Sequence, residues 1–579
     1  MTMLTKWGAA LDRSCPLPEY PRPQLRRESF YNLNGVWDYA VTPSGDEPGV
    51  WDGEIVVPFS PEAPLSGAAR GPAKDEYLHY RRGFTLPEGF QKSRVLLHFG
   101  AVDQIAEVFV NGVSAAKHSG GYWPFSADIT SLLREGENIL RVTVRDNADD
   151  PTFAYGKQRY KRGGMWYTAQ SGIWQTVWLE SVPEAYVKSL RITPEFDEAR
   201  VRIELETALE SSAAITCDVR AADGSFVAGS WAKGGVCVVP LPGFRAWTPD
   251  DPYLYTLDIS CGEDRVESYF AMRKFSYVEL GGHKVFGLNN VPLFHNGLLD
   301  QGYYPDGLLT PPSDEAMVND IETTKRCGFN MLRTHIKIEP LRWYYHCDRL
   351  GMIVWQDMVS GGQPYSFLHV SALPTLGKVD LPDQDAKPYG RSGVLSRARF
   401  RREMADTVRL LYNCPCIALW TVFNEGWGQF DALDMANELK KLDPTRFIDH
   451  ASGWQDQGYE EMKSRHIYFR PVKLKNDGRA LALTEYGGYI LAVDGHRWTD
   501  KVFGYRICRD SAALAHDYEK LMLGQVLPHI RKEGLTAAVY TQITDVEEEL
   551  NGLMTYDREV LKIPEETLRE INAALRFDA

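Results

Sequence analysis

Two short stretches carry the residues best suited to chemistry. In IALWTVFNEGWGQF, residues 417–430, an apolar run of the kind found in strands buried on both faces passes directly into Asn424, Glu425 and the glycines Gly426 and Gly428. In LALTEYGGY, residues 481–489, a second apolar run delivers Glu485 in the matching position. Two carboxylates facing across a cleft can divide the cleavage of a glycosidic bond, one protonating the leaving oxygen and the other attacking the sugar carbon. A retaining reaction requires the two carboxyl groups to stand about 5–5.5 Å apart.

The elements that must hold these residues follow from periodicity. From about Phe275 onward, short apolar strands alternate with amphipathic helices, as in a parallel α/β fold. Eight strand candidates occur in order: VPLFHNG, FNMLRTH, GMIVWQD, IALWTVFNE, RFIDHAS, RHIYF, LALTEYGG and AAVYTQI. Helical stretches such as SDEAMVNDIETTKRCG, EPLRWYYHCDRLG and RARFRREMADTVRLLY separate them, with Ser313 as an N-cap ahead of Asp314 and Glu315 and Gly328 as a stop. Eight such units predict a (β/α)8 TIM barrel over residues 276–579, a fold that gathers reactive groups at the C-terminal ends of its strands. Glu425 then lies just past the fourth strand and Glu485 at the end of the seventh, so they face each other across the barrel mouth. The same rule brings Arg333 and His335 (second strand), Asp357 (third), Tyr468 (sixth) and Tyr540 (eighth) to the pocket. The polar tract 378–393 is a long loop that helps frame it.

Ahead of the barrel the grammar is all-β. NLNGVWDYAV, HYRRGFTL, RVLLHFG, AEVFVNG, NILRVTVRD and IWQTVWLE read as strands of a jelly-roll sandwich over residues 1–183. VKSLRIT, VRIELE, ITCDVR, GVCVVPL and YTLDIS read as a smaller Ig-like β-sandwich over residues 184–275.

Composition narrows the partners. The 579 residues carry a net charge of -14, which argues against nucleic acid, since phosphate binding needs clustered Lys and Arg. No apolar run approaches the roughly 18 residues a membrane span requires. Fifteen Trp and 29 Tyr suit both a large core and the flat faces of sugar rings. The opening residues break into Asp, Arg and Pro before an apolar export region forms, so the expected location is cytoplasmic. The nine scattered cysteines, with Cys414 and Cys416 as a C-x-C pair, read as thiols in a reducing compartment, and no metal or cofactor is implied.

The motifs NGVWDYA, GGYWPFSADIT, SGIWQTVWLE, GFNMLRTH, DRLGMIVWQD, VFNEGWGQ and TEYGG, in that order, make the chain resemble glycoside hydrolase family 2, the family of bacterial β-galactosidases and β-glucuronidases, along essentially its whole length. The resemblance implies a retaining exo-β-glycosidase in which Glu425 is the general acid/base and Glu485 the nucleophile. It implies that Asn424 bonds the sugar 2-hydroxyl, that Tyr468 holds the nucleophile, and that dimers or tetramers form. A histidine is expected near His335, although in β-glucuronidase-like sequences it sits one place further on.

One departure bears on substrate. β-Glucuronidases carry an Asn-x-Lys pair after the eighth strand that grips the sugar carboxylate, whereas TDVEEELNGLMTYDRE, residues 544–559, is acidic and lacks that lysine. This favours a neutral glycoside, galactose first. A β-uronidase acting on glucuronides or galacturonides is the alternative, with Arg465, Arg470, Lys473 and Lys475 as a different carboxylate site. A carbohydrate-binding protein without turnover is the third reading.

Overall fold

A computed structural model describes residues 3–208, 214–377 and 380–578. Eight parallel strands form the barrel: β1 (His295–Asp300), β2 (Met331–Thr334), β3 (Ile353–Asp357), β4 (Ile417–Thr421), β5 (Phe447–Asp449), β6 (Met462–Ile467), β7 (Ala480–Gly487) and β8 (Leu535–Thr541). Their order around the sheet is β5-β4-β3-β2-β1-β8-β7-β6, which leaves only the β5/β6 seam without a ladder among the described residues. There the Ser464 hydroxyl bridges the gap, its single proton shared between Asp449 Oδ1 at 2.9 Å and the Ala451 carbonyl at 3.1 Å. Helices α1 (Asp314–Arg326), α2 (Leu341–Leu350) and α3 (Val394–Leu411) form at the expected places, and the Ser313 hydroxyl caps α1 by accepting the Ala316 amide.

Alternation sorts each strand's side chains between two cores. On β2, Met331 joins the inner cluster at the barrel's closed end, Leu332 the outer layer under the helices, and Arg333 points back inside. The closed end is plugged by a hairpin, Phe275–Leu280 with His283–Leu288, whose Phe286 stacks on Phe447 at 4.2 Å. The structure corrects one boundary here. Val291 and Pro292 belong to this plug rather than to β1, which starts at His295, because proline has no N–H to give a central parallel ladder.

The preceding residues form two sandwiches. A six-stranded sheet (strands within 35–145) faces a four-stranded one (within 31–182) across a core of Trp37, Tyr80, Val95, Leu97 and Val177. A three-stranded sheet (within 187–240) faces a four-stranded one (within 215–270) across Ile203, Cys217, Val239 and Leu257. Among the described residues no helix is long and apolar enough to cross a membrane.

One excursion of the first sandwich reaches the barrel mouth. The amides of Tyr155 and Gly156 donate to the Ser360 carbonyl beyond β3 at 3.1 and 2.9 Å, and the Tyr155 hydroxyl donates to the Gly362 carbonyl at 2.8 Å. Gly361 permits the approach, because a Cβ there would lie 2.0 Å from the Phe153 carbonyl oxygen. The Thr168 amide donates to Glu547 at 2.9 Å and the Tyr167 hydroxyl to Glu549, both beyond β8.

Candidate active site

Arg333 organises the site. Its guanidinium is fully buried and its five N–H groups are all engaged. Nε and Nη2 donate to the two oxygens of Asp357 at 2.9 and 3.0 Å, and Nη2 also to Asn424 Oδ1 at 2.7 Å. Nη1 donates to the Thr484 carbonyl at 3.1 Å and to Glu485 Oε1 at 3.2 Å. Burial alone would raise the Asp357 pKa, but the charge of Arg333, with help from His335, holds it at about 2. The ionised Asp357 therefore accepts from His335 Nδ1 at 2.8 Å, and burial, which lowers the His335 pKa, keeps that ring neutral with Nε2 as an acceptor.

Glu485 receives a second donor on its other oxygen, the Tyr468 hydroxyl at 2.5 Å. Tyr468 is set by stacking on Tyr505 at 3.8 Å, and its hydroxyl also meets the Thr541 hydroxyl at 2.9 Å. Simple alternation after Leu481 and Leu483, which pack outward, would send Glu485 outward too. A register shift resolves this: Arg465 pairs with Leu483 and His466 with Glu485, so Thr484 is an extra residue whose bulge turns Glu485 into the barrel.

Glu425 follows β4 in a left-handed backbone conformation (φ 55°) between Asn424 and Gly426, a strained position of the kind kept at functional sites. The Trp454 indole fixes the turn by donating to the Glu425 carbonyl at 2.8 Å. Burial raises the Glu425 pKa, while Lys157, His335 and Arg333 partly oppose it. His466 Nδ1 lies 2.9 Å from Glu425 Oε1, and burial drops the His466 pKa to about 3, so the ring is neutral. Its Nε2 lies 3.2 Å from the Ser452 hydroxyl, whose single proton goes to Thr484 Oγ1 at 3.0 Å. We therefore assign the ring proton to Nε2, which leaves Nδ1 to accept the proton of Glu425. Across the mouth, Glu425, His466 and Glu485 each present an atom within 4.8 Å of the other two.

The structure thus brings Asn424, Glu425, Arg333, His335, Asp357, Tyr468 and Glu485 into one network. It does not bring Tyr540. Neighbouring Val539 packs inward and Thr541 reaches Tyr468, so Tyr540 points outward, into an aromatic cluster with Tyr486 (5.7 Å) and Tyr518 (5.2 Å). Of the framing tract, Lys378 and Val379 lie outside the described residues, while residues 380–393 pack on the turns after β4 and β5. The Leu381 amide donates to Gln455 at 2.7 Å, and Asp383 accepts from Gln429 at 3.0 Å. Arg465 is committed to Asp380 at 2.7 Å. Two residues of the site, His466 beside Glu425 and Tyr505 beneath Tyr468, were not among those expected from the sequence. Only His466 left a signal, standing two residues before Tyr468 and so on the same strand face.

Among the described residues, two groups have the donor set of a divalent-cation site, Glu425 with His466 and Glu485, and His496 with Asp557 and Glu559. A cation in the first would occupy both facing glutamates at once.

Three family profiles match in series: the sugar-binding domain of glycosyl hydrolases family 2 over residues 64–183, a profile described simply as glycosyl hydrolases family 2 over 185–273 and the family's TIM-barrel domain over 312–474. The chain belongs to glycoside hydrolase family 2. Among curated relatives, a β-galactosidase of Thermoanaerobacter pseudethanolicus is 25% identical over 387 residues, covering 63% of this chain and 47% of that protein. The chain thus spans about half the length of that relative. Among solved structures, a β-glucuronidase from an uncultured Clostridium sp. superposes with a TM-score of 0.74 at 19% identity, covering 95% of this chain and 98% of that one. A galacturonate-bound β-galacturonidase from Eisenbergiella tayi gives a TM-score of 0.72 at 19% identity, covering 96% and 100%. At these identities the structures speak for the fold.

Proposed function

We propose that this chain hydrolyses terminal β-glycosides with retention of configuration, as a β-galactosidase-like exo-glycosidase. The observation that carries the reading is the pairing of Glu425 and Glu485, which present carboxylate oxygens within 4.8 Å of each other across the mouth, the close approach of two carboxyl groups on which double displacement depends. Glu485 is the nucleophile. Arg333 and Tyr468 orient it, one on each oxygen. Glu425 is the acid/base, and its burial and the lone pair of His466 Nδ1 both favour the protonated form the first step needs.

In the first step Glu485 bonds to the anomeric carbon while the Glu425 proton passes to the departing glycosidic oxygen. The new ester is neutral, so Glu425 loses a negative neighbour, its pKa falls, and it serves as base for the water that cleaves the ester. Arg333 occupies the Asn424 oxygen, which leaves the amide N–H groups to donate to the sugar 2-hydroxyl.

Domain boundaries at 183/184 and 275/276, assembly as a homo-oligomer and a cytoplasmic location complete the proposal. A second reading, a β-uronidase of the same mechanism, draws on the solved relatives named above. Turnover of aryl β-galactoside, glucoside, mannoside, fucoside, arabinoside, glucuronide and galacturonide by wild type and Glu485→Gln tests both. Activity on a neutral sugar that vanishes in the variant is the expected result; turnover of a uronide alone would replace the leading reading with the second.

A further inference from the structure

The ring beneath Tyr468 reaches the site from outside the barrel's strands. Between β7 and the helix Ser511–Leu521, residues 502–507 form a strap tied to the chain beyond both β7 and β8. On the β8 side, the Phe503 amide donates to the Glu548 carbonyl at 2.7 Å. On the β7 side, Arg506 and Ile507 pair with Tyr489 and Ile490 in a two-rung parallel ladder, and Arg506 Nη2 lies 2.7 Å from Asp517 Oδ2. Phe503 and Ile507 are 36% and 75% exposed, whereas Tyr505, between them, lays its ring on Tyr468 with centroids 3.8 Å apart and planes 11° from parallel. Phe469 meets the same ring edge-on at 5.1 Å. Gly488, at φ 65°, leaves room for the pair, because a Cβ there would collide with the Tyr505 ring and touch Tyr468 at 3.5 Å.

We propose that Tyr505 is a positioning residue for the nucleophile, acting on Glu485 through the Tyr468 ring. Tyr468 ends in the hydroxyl that donates to Glu485 Oε2 at 2.5 Å and meets Thr541 at 2.9 Å. A tyrosine turns about two side-chain torsions, and a small rotation moves the hydroxyl most, since it lies farthest from the backbone. Against a parallel ring at van der Waals distance, that rotation costs dispersion contact and stacking. The strap therefore keeps the hydroxyl on one carboxylate oxygen while Arg333 holds the other. A reacting group misplaced by about 1 Å can lose roughly 100-fold in rate, so support given to Tyr468 is felt in kcat. The inference rests on the glycosidase reading and adds to it a residue that no barrel strand supplies.

The test measures kcat and KM, on the aryl β-glycoside that the wild type turns over best, for wild type, Tyr505→Phe, Tyr505→Leu, Tyr468→Phe and Tyr468→Phe/Tyr505→Leu, with thermal unfolding as a folding control. Tyr505→Phe keeps the stack and should stay within about twofold of wild type. Tyr505→Leu should lose about 3- to 10-fold in kcat with KM little changed. The double variant should be no slower than Tyr468→Phe alone, because without the hydroxyl the stack has nothing left to position. If Tyr505→Leu fails to fold, Tyr505→Met takes its place in the same cycle. Unchanged kcat, a loss confined to KM, losses that multiply in the double variant, or a Tyr505→Phe as slow as Tyr505→Leu each overturn this inference alone. No turnover of any glycoside by the wild type overturns the glycosidase reading and this inference with it.

Discussion

Arg333 donates to Glu485 Oε1 at 3.2 Å from a position where Asp357 already takes two of its N–H groups, so the residue that orients the nucleophile is itself fixed by a buried carboxylate. Replacing Arg333 by Met would strand Asp357 in the interior without its partner. The expected cost is about 3–5 kcal/mol of stability, read from denaturant unfolding, with kcat/KM down at least about 100-fold. Unchanged stability would mean that Asp357 is held by something other than Arg333.

The Tyr468 hydroxyl serves Glu485 without carrying a buried charge. Tyr468→Phe keeps the stack on Tyr505 and loses the 2.5 Å hydrogen bond to Oε2 together with the 2.9 Å contact to the Thr541 hydroxyl. The variant should fold with nearly the wild-type melting temperature while kcat falls roughly 10- to 100-fold, since hydrogen bonds to charged groups contribute about 1.5–3 kcal/mol. A large drop in melting temperature with kcat intact would make the tyrosine structural.

Much of this arrangement is legible in the chain itself, because a barrel strand announces its end. Apolar runs stop at Asn424–Glu425 and at Glu485, and the rule that chemistry sits at strand ends did the rest. The failures are equally physical. Tyr540 satisfies the same rule but lies on the outward side of β8, a distinction of one residue that an apolar run cannot convey. Glu485 faces inward only because of the bulge at Thr484, which depends on pairing with β6 and has no local signature. The sandwich loop and the barrel loop beside the mouth meet across nearly 400 positions, as where Tyr167 reaches Glu549 over 382 residues. No periodicity within either segment encodes such a meeting.

The pH profile gives a signed prediction. Burial raises the Glu425 pKa, so the basic limb of kcat/KM, which reports loss of the acid's proton in the free enzyme, should lie above the usual carboxylate range. Lys157 is the leading influence that opposes this rise. Lys157→Gln removes a positive charge that favours the ionised form, so the Glu425 pKa should increase and the basic limb should move to higher pH. A limb that stays in place, or moves down, would show that Lys157 does not act on Glu425.

The central claim is that Glu485 forms a covalent bond to the sugar, and the most direct measurement is the intact mass of the protein after incubation with a 2-deoxy-2-fluoro aryl β-galactoside bearing a good leaving group. The fluorine slows both steps, while the leaving group lets the first proceed without full help from Glu425, so the ester accumulates. The account predicts a mass gain of one fluoroglycosyl unit, located on the peptide containing Glu485 and absent from Glu485→Gln. Wild-type turnover of the parent galactoside without any adduct, or an adduct on a residue other than Glu485, would contradict it.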